Sequence, residues 1–441
     1  MTSTNKSYRT AFIFVTSLFF LWGFITVLVD SLVPRIKDVF EMNYARTILV
    51  QSAFFIAFFI VSVPAGFLLT RIGYKKGIVL GLCILACGCL LFYPASEYRS
   101  FAIFMTAYFT LASGITVLQV AANPYVALLG SEVGASSRLN LSQAFNSLGT
   151  TIAPIIGALF LLSDSVKSSE EIKKLSQVAK EEYYAAEAET VQTPFLFITG
   201  FVVLLVLIFS FIKLPKVVQQ SPKGGYGALL RNRTMLLGAL GIFLYVGAEV
   251  AIGSSFLINY FLSMDLASIV ADNDTMMSIA NTIASVFNKT FSDSDPKSLL
   301  GVFVIFYWGG AMIGRFVGAY LTKIIRPGKV LAVFATLAAA MVAISISTTG
   351  LISMWSILAV GLFNSIMFPT IFTLTLDGLG ELKAQASGLL CMAIVGGAAV
   401  PFAFGVLIDS FDFKVAFFLP ILCYLYILFY GRMKARKQVD A

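Results

Sequence analysis

The sequence predicts an all-α membrane protein in which twelve transmembrane helices form two pseudo-symmetric six-helix halves. Three observations predict this fold class: the composition, the number of long apolar stretches, and motifs that recur between the two parts of the chain. Of the 441 residues, 58% are hydrophobic and 12% are charged, and the mean hydropathy is +0.88. A soluble domain is about 45–50% apolar and about 25% charged, and it still needs a polar surface. The surplus apolar surface must therefore face lipid.

Twelve apolar stretches have the length of a membrane span, about 20 residues. In the first part of the chain they lie near residues 10–36, 46–70, 77–95, 100–128, 138–162 and 193–213. In the second part they lie near residues 235–262, 298–322, 328–347, 351–375, 384–408 and 413–431. No small-residue cleavage site follows the first stretch, so we expect a retained helix rather than a signal peptide.

The distribution of lysine and arginine predicts the orientation of these helices. With both termini in the cytoplasm, 20 of the 31 basic residues fall in cytoplasmic segments, in agreement with the positive-inside rule. Two long polar segments, 164–192 and 263–297, then lie outside, and the first is expected to form a short surface helix. The predicted location is the plasma (inner) membrane, which the chain crosses many times.

The composition also excludes several classes of function. The net charge is +8, but the basic residues are scattered between apolar stretches, so nucleic acid is not an expected partner. The chain has no histidine, and its cysteines lie inside apolar stretches, where packing explains them better than a metal site does. The five cysteines are Cys83, Cys87, Cys89, Cys391 and Cys423. No nucleophile–base arrangement is present, so we expect neither an enzyme nor a cofactor.

The two parts of the chain carry related motifs at corresponding positions. Residues 66–71, after the second span, and residues 318–323, after the eighth, share the pattern Gly-x-x-x-Thr followed by a basic residue. Pro124 in the fourth span corresponds to Pro369 in the tenth. Such repeats are typical of transporters whose substrate site lies near the membrane midplane, between the repeats. The predicted units are an N-terminal six-helix bundle (1–213), a cytoplasmic linker (214–233) and a C-terminal six-helix bundle (234–441).

This organisation resembles the major facilitator superfamily, and the resemblance implies the major facilitator fold. In that family the loop between the second and third spans usually carries an acidic residue followed by basic ones. Here Thr70 stands at the acidic position and Tyr74 at the first basic position. The ion pair that this loop supplies in many members of the family is therefore not expected in this chain.

Polar side chains inside a span are costly, and they usually face a cavity or a transport pathway. Asn and Gln both donate and accept hydrogen bonds without carrying charge, which suits the hydroxyl groups of a hexose. Trp and Tyr offer an apolar surface to the sugar ring. Several of the polar residues are four positions apart and so share one face of a helix. The predicted sugar-binding residues are Trp22, Thr26, Gln119, Asn123, Gln143, Asn146, Tyr245 and Asn364.

Other interpretations of these residues remain open. A buried Asn or Gln often joins two helices, and this suits Asn364 at least equally well. A site for lipophilic drugs would be more aromatic and apolar. A site for organic anions would need an unpaired basic residue inside a span. Only Arg315 qualifies, and the sequence places it near the cytoplasmic end of the eighth span.

Asp30 and Glu249 are the two carboxylates that lie well inside predicted spans. A buried carboxyl group can take up a proton near physiological pH, and its oxygens can also bind sodium. Either property would couple sugar movement to an ion gradient, so we predict ion coupling at both residues, with Asp30 as the candidate Na⁺ site. The alternative, a structural ion pair, lacks an obvious basic partner at this depth.

Three motifs narrow the family resemblance. They are Phe-Phe-Leu-Trp-Gly-Phe with Asp-Ser-Leu-Val-Pro within 19–34, Gly-Ile-Thr-Val-Leu-Gln-Val-Ala-Ala-Asn-Pro-Tyr at 114–125, and Arg-Leu-Asn-Leu-Ser-Gln-Ala-Phe-Asn-Ser-Leu-Gly at 138–149. These stretches resemble the fucose permease family, and particularly its glucose/galactose permease branch. The resemblance implies sugar–cation symport by alternating access. It assigns coupling to Asp30, and sugar contact to Gln143 and Asn146.

Two departures from fucose permease itself bear on the substrate. That protein carries a glutamate where this chain has Gln119 and an asparagine where it has Val27, which disfavours fucose. The predicted function is import of glucose or galactose coupled to H⁺ or Na⁺. Alternatives are a symporter for fucose, mannose or N-acetylglucosamine, an exporter of drugs or lipids, and a sugar receptor without transport. The expected partners are the sugar and the lipid bilayer, with the chain acting as a monomer.

Overall fold

The computed structural model describes residues 3–39, 44–161, 175–215, 225–286 and 296–437. Within these ranges, the side chains of residues 3–7, 29–39, 44–51, 155–161, 181–182, 184–191 and 437 are not described. Every regular element in the described ranges is helical, which confirms the all-α fold class.

The first half of the chain forms five long helices. They are α1 (Ser3–Val39), α2 (Tyr44–Glu97), α3 (Phe101–Leu128), α4 (Ala135–Leu161) and α5 (Gln177–Phe211). Gly73 divides α2 into two arms, 44–72 and 74–97, because its backbone (φ 81°, ψ 165°) is not helical. A residue with a Cβ would be strained in this conformation. The two arms are the predicted second and third spans, so a single glycine makes their connection.

One expectation about the first half is wrong. Residues 177–192 form no separate surface helix, because α5 begins at Gln177 and continues without interruption into the sixth span. The Ser176 side chain caps the helix by accepting a hydrogen bond from the Ala179 N–H. The Ala- and Glu-rich sequence that follows has high helix propensity, so nothing ends the helix before the apolar stretch. The rest of the expected external segment, up to residue 174, lies outside the described residues.

The second half is divided into shorter helices. After the linker helix α6 (Gly225–Arg231) they are α7 (Arg233–Gly253), α8 (Ser255–Ser263), α9 (Leu266–Ala271), α10 (Asp274–Ser285), α11 (Pro296–Val302), α12 (Val304–Ile324), α13 (Pro327–Ser347), α14 (Gly350–Asn364), α15 (Met367–Leu376), α16 (Lys383–Met392), α17 (Gly396–Ser410), α18 (Phe413–Ala416) and α19 (Phe418–Lys437). Short breaks interrupt several of the spans. Irregular backbone at membrane depth is tolerated where protein covers it, and Phe303, Ser365 and Phe417 are buried at three such breaks.

The described helices can account for twelve crossings of a membrane. Ten segments in the described part are long and apolar enough to cross, and one of them, Ser52–Glu97, has 46 residues and contains both arms of α2. Counting the arms separately and adding α4 gives twelve. The outer surface of the bundle is apolar, as lipid contact requires. In the most apolar stretch of 18 residues within Gln192–Phe211, only 17% is buried inside the protein. Trp308 is 40% exposed.

The connections on one end of the bundle lie together, and we call this end the linker face. It carries Gly73, residues 129–134, the linker helix α6, residues 325–326 and residues 377–382. The Tyr125 hydroxyl, at the end of α3, donates to the Pro215 carbonyl oxygen at 3.0 Å.

The two halves touch along a surface that we call the seam, formed by the first arm of α2, α3 and α4 against α12, α15 and α16. Two glycines allow the closest approach there. A Cβ on Gly66 would lie only 3.2 Å from the Gly388 Cα and 3.1 Å from the Ala384 carbonyl oxygen.

Candidate functional site

Amide side chains from α3 and α4 meet inside the first half. The Gln143 Nε2 atom lies 3.5 Å from the Asn123 Oδ1 atom, at the long limit of a hydrogen bond. Asn123 is fully buried, and its Nδ2 atom, which faces the weakly accepting Cys391 thiol, makes no hydrogen bond within the described residues. Gln119 lies one turn before Asn123 and is half-buried. A buried polar atom without a partner costs about 1–3 kcal/mol. A ligand hydroxyl that accepted a hydrogen bond from the Asn123 Nδ2 atom would remove this cost, so the pair has hydrogen-bonding capacity available to a ligand.

The other predicted residues of the first half lie where α1 packs on α4. The Asn146 Nδ2 atom donates to the Phe19 carbonyl oxygen at 2.9 Å, so in this state the amide joins the two helices. Trp22 packs against Phe19, with ring centroids 4.1 Å apart, and is 3% exposed. The Thr26 hydroxyl donates to the Trp22 carbonyl oxygen at 2.7 Å. Asn146 lies about one turn after Gln143 on α4, so the contact between α1 and α4 adjoins the amide pair.

A second polar cluster lies inside the other half. The Tyr307 hydroxyl donates to the Glu249 carbonyl oxygen at 3.1 Å and accepts from Asn364 Nδ2 at 2.7 Å. Asn364 is fully buried, and this bond joins α14 to α12. The hydroxyls of Tyr245 and Tyr424 are buried beside the same group, Tyr245 next to Glu249 and Tyr424 next to Asn364. Several donors and acceptors thus converge on Glu249.

Arg315 connects the two clusters. Its Nη2 atom lies 3.6 Å from Glu249 Oε1, and both side chains are 12% exposed. Its Nε atom donates to the Ser365 carbonyl oxygen at 3.1 Å. Across the seam, its Nη1 atom contacts the Ser147 hydroxyl and donates to the Gln143 carbonyl oxygen at 3.4 Å.

The expectation that Glu249 has no basic partner is therefore wrong. The sequence estimate located Arg315 by counting along the span, which ignores the length of its side chain. Arg315 reaches from α12 to Glu249 on α7 and to α4 in the other half.

Polar contacts close the seam at the linker face. The Lys383 Nζ atom donates to Glu132 Oε1 at 2.8 Å, and the hydroxyls of Ser136 and Thr373 lie 2.6 Å apart. The bond from Lys383 holds the pKa of the Glu132 carboxyl below its ordinary value of 4.5. A depressed carboxyl pKa means that the bridge is present at neutral pH and is lost only as the pH falls through that lowered value. A cavity of about 490 Å³ lies beside these contacts, between α3 and α15.

The structure thus brings the predicted residues together in two groups, one in each half. Asp30 lies on the helical backbone of α1, but its side chain is outside the described residues, so its role stays a prediction. The sequence analysis gave no role to Ser147, Tyr307 or Tyr424. Each acquires a role through contacts with a distant helix, which no local pattern encodes. Among the described residues, no group of three His, Cys, Asp or Glu side chains is arranged to hold a metal ion.

Comparison with known proteins identifies the class. Residues 10–400 match the Major Facilitator Superfamily. A glucose/galactose transporter of Brucella abortus is 47% identical over 433 residues, which cover 98% of this chain and 95% of that protein. An L-fucose-proton symporter of Escherichia coli is 32% identical over 446 residues, covering 99% and 95%. The crystal structure of FucP in the outward conformation superposes with a TM-score of 0.84 at 31% identity, covering 97% and 99%.

The twelve-span fold and these matches define a multi-pass membrane transporter of the Major Facilitator Superfamily. Within that superfamily the chain belongs to the fucose permease family, in the branch of the glucose/galactose transporters. The resemblance drawn from the sequence motifs is therefore confirmed.

Proposed function

We propose that this protein imports a hexose, glucose or galactose, together with a proton, by alternating access. The observation that carries the proposal is the uncharged amide cluster of α3 and α4, which lies at the seam between two similar halves and retains unused hydrogen-bonding capacity. The names of the relatives support the same substrate and the same ion: a glucose/galactose transporter and a fucose–proton symporter.

In this proposal the amides of the first half hold the sugar hydroxyls. Gln119, Asn123 and Gln143 offer donors and acceptors on neighbouring turns, and Asn146 joins them when its bond to α1 is released. Trp22 and Thr26 line the α1 side, and Tyr245 and Asn364 complete the site from the other half. An uncharged set of this kind matches a neutral polyol better than an anion or a lipophilic cation.

Asp30 and Glu249 are the proposed coupling groups. A bare carboxylate is too costly to carry through a closed, dehydrated site, so Asp30 must be neutralised before the carrier can reorient. We assign this to a proton, with sodium as the alternative that the experiment below separates. The coupling ion is the only other species that the mechanism needs.

The moving bodies are residues 1–213 and 234–441, joined by the linker 214–233. The linker face is assigned to the cytoplasm, because most lysines and arginines of short connections lie there, and the membrane is the inner membrane. The contacts across the seam, together with the likeness to a relative in an outward conformation, support an outward-facing state for the structure. Each monomer contains a complete site.

Charge reversal at Glu132 or Lys383 should open the linker face. In Glu132→Lys or Lys383→Glu, like charges face each other across the seam. An exposed ion pair contributes about 0–1 kcal/mol, so we expect labelling of a cysteine at Ala127, which lines the linker-face cavity, to accelerate about two- to fivefold. The probe is a membrane-impermeant maleimide on inside-out vesicles. The double reversal should restore slow labelling, and equal rates in all four proteins would contradict a closing role for the pair.

The proposed function is tested with purified protein reconstituted into lipid vesicles. Labelled D-glucose and D-galactose uptake is measured under an inward proton gradient and, separately, an inward sodium gradient. We expect accumulation above equilibrium with the proton gradient, abolished by a protonophore. Accumulation driven only by the sodium gradient would mean that sodium, and not the proton, is the coupling ion. No uptake of either sugar under either gradient would reject the proposal.

Competition experiments address the alternative functions. Unlabelled fucose, mannose and N-acetylglucosamine rank the other sugars as inhibitors of uptake. An exporter would be inhibited by lipophilic compounds and not by free hexoses. A receptor would bind labelled sugar without moving it into the vesicle.

A further inference from the structure

The guanidinium group of Arg315 is divided between the two halves of the protein. Within its own half it donates to the Ser365 carbonyl oxygen and lies beside Glu249. Across the seam it contacts the Gln143 carbonyl oxygen and the Ser147 hydroxyl on α4. Gln143 also belongs to the amide pair, so this contact adjoins the proposed sugar site. Any movement that separates the halves at this depth must break the contacts with α4 and leave those within the second half.

Glu249 is only partly compensated in this state. Its Oε1 atom lies 3.6 Å from the nearest Arg315 nitrogen, whereas a charge-assisted hydrogen bond is about 2.7–2.9 Å long. The Tyr245 hydroxyl lies beside the carboxyl group, but the same oxygen has no donor in good hydrogen-bond geometry among the described residues. Because an ionised carboxylate in a buried site needs close pairing, this geometry suits a protonated carboxyl group better than a carboxylate.

The ionisable groups around Glu249 are consistent with this assignment. Tyr245 on α7, Tyr307 and Arg315 on α12, and Tyr424 on α19 face it. The Tyr307 hydroxyl is engaged by the Glu249 backbone and by Asn364. Arg315 is thus the permanently charged group whose movement can change how well the carboxylate is compensated.

We propose that Arg315 is a positioning residue that discharges the proton of Glu249 when the halves part at the linker face. With the seam closed, α4 holds the guanidinium and Glu249 keeps its proton. When the seam opens, Arg315 loses Gln143 and Ser147 and moves onto the carboxylate. The carboxyl O–H bond breaks, the proton passes to water at the linker face, and the carboxylate accepts hydrogen bonds from the guanidinium.

This inference rests on the proposed function and specifies how its coupling is timed. The empty carrier returns with Glu249 and Arg315 as a neutral ion pair, which avoids carrying a bare carboxylate through the closed state. The proton is then taken up again from the far side, once α4 has recaptured the guanidinium. Sugar and proton are released on the same side because one movement of α4 against α12 changes both sites.

The test compares net uptake with exchange for Arg315→Gln in lipid vesicles, with labelled D-galactose. Without the guanidinium the proton leaves Glu249 slowly, so net uptake should fall by about tenfold or more relative to exchange, because exchange does not require deprotonation. Raising the internal pH from about 7 to about 9 should restore net uptake of the variant much more than that of the natural protein. Arg315→Lys, which keeps the charge, should retain part of the net uptake.

Two further variants separate this role from a structural one. Arg138→Gln removes another partly buried guanidinium, which bonds the Val126 and Ala127 carbonyl oxygens, and it should leave the dependence on internal pH unchanged. The double variant Glu249→Gln with Arg315→Gln lacks the acid that Arg315 is proposed to discharge, so it should lose the dependence on internal pH seen for Arg315→Gln. Thermal unfolding in detergent verifies that each variant is folded.

The outcomes distinguish the inference from the proposed function. If folded Arg315→Gln loses exchange and net uptake equally, or shows the pH profile of the natural protein, the role of Arg315 is overturned while sugar transport stands. If the natural protein itself moves neither glucose nor galactose under any gradient, the proposed function is overturned and this inference with it.

Discussion

Replacement of Asp30 by asparagine should reduce sugar accumulation to simple equilibration, even under a large proton gradient. Asparagine has nearly the same shape as aspartic acid but cannot exchange a proton, so the carrier would reorient whether or not a proton is available. Sugar exchange across the membrane should persist, since it needs only binding and reorientation. Asp30 lies four positions after Thr26 and eight after Trp22 on the helical backbone of α1, so helix periodicity predicts that the three residues share one face.

The measurement is the ratio of internal to external labelled galactose under an imposed proton gradient, followed by counterflow in the same vesicles. Asp409→Asn is the matched control, because Asp409 lies exposed at the end of α17, away from the seam. This control should accumulate sugar like the natural protein. Accumulation above equilibrium by Asp30→Asn would mean that coupling resides elsewhere, with Glu249 as the remaining candidate.

A methyl group on Gly149 should destabilise the first half and displace the sugar site. A Cβ at this position would overlap the Phe20 carbonyl oxygen and would lie 2.9 Å from the Phe24 backbone nitrogen. Backbone atoms cannot move aside as a side chain can, so α1 and α4 must separate. Overpacking of this kind typically costs about 1–3 kcal/mol. We expect Gly149→Ala to unfold at a temperature several degrees lower and to bind sugar more weakly, because α1 carries Trp22 and Thr26.

The matched control is Gly309→Ala on α12, where an added Cβ meets no atom within 4 Å. Alanine favours the helix over glycine by about 1 kcal/mol, so this variant should be as stable as the natural protein or slightly more so. Thermal unfolding in detergent and the KM for galactose in vesicles are the measurements. Equal unfolding temperatures for the two variants would contradict the close packing of α1 on α4.

The sequence was sufficient to predict the fold class and most spans because these depend on local properties. Each span is a run of apolar residues long enough to cross a bilayer, and no other solvent accommodates twelve of them. The boundary at Gly73 is also local, since only glycine adopts its backbone conformation without strain. The error at residues 177–192 has a local origin too: polarity indicated a loop outside the membrane, but helix propensity carried α5 through it.

The composition of the candidate site was predictable, but its pairing was not. Asparagine, glutamine and carboxylate side chains in apolar spans are conspicuous, because polar groups are costly there. Which of them meet depends on how helices cross. Asn146 bonds the backbone of Phe19, 127 positions away, and Asn364 bonds Tyr307, 57 positions away. The sequence could not distinguish these contacts from free sugar-binding groups.

The sequence by itself determined that this chain is a twelve-span membrane protein of the fucose permease family, with uncharged amides and two carboxylates inside its spans. Composition, span length and motif order are properties of the chain in one dimension, so they needed no coordinates. The tertiary structure alone decided that Arg315 joins Glu249 to Ser147, 168 positions away in the other half. It also decided that Glu132 and Lys383, 251 positions apart, close the linker face. These contacts arise only when two halves pack against each other, since a long side chain meets whichever helix lies across the seam.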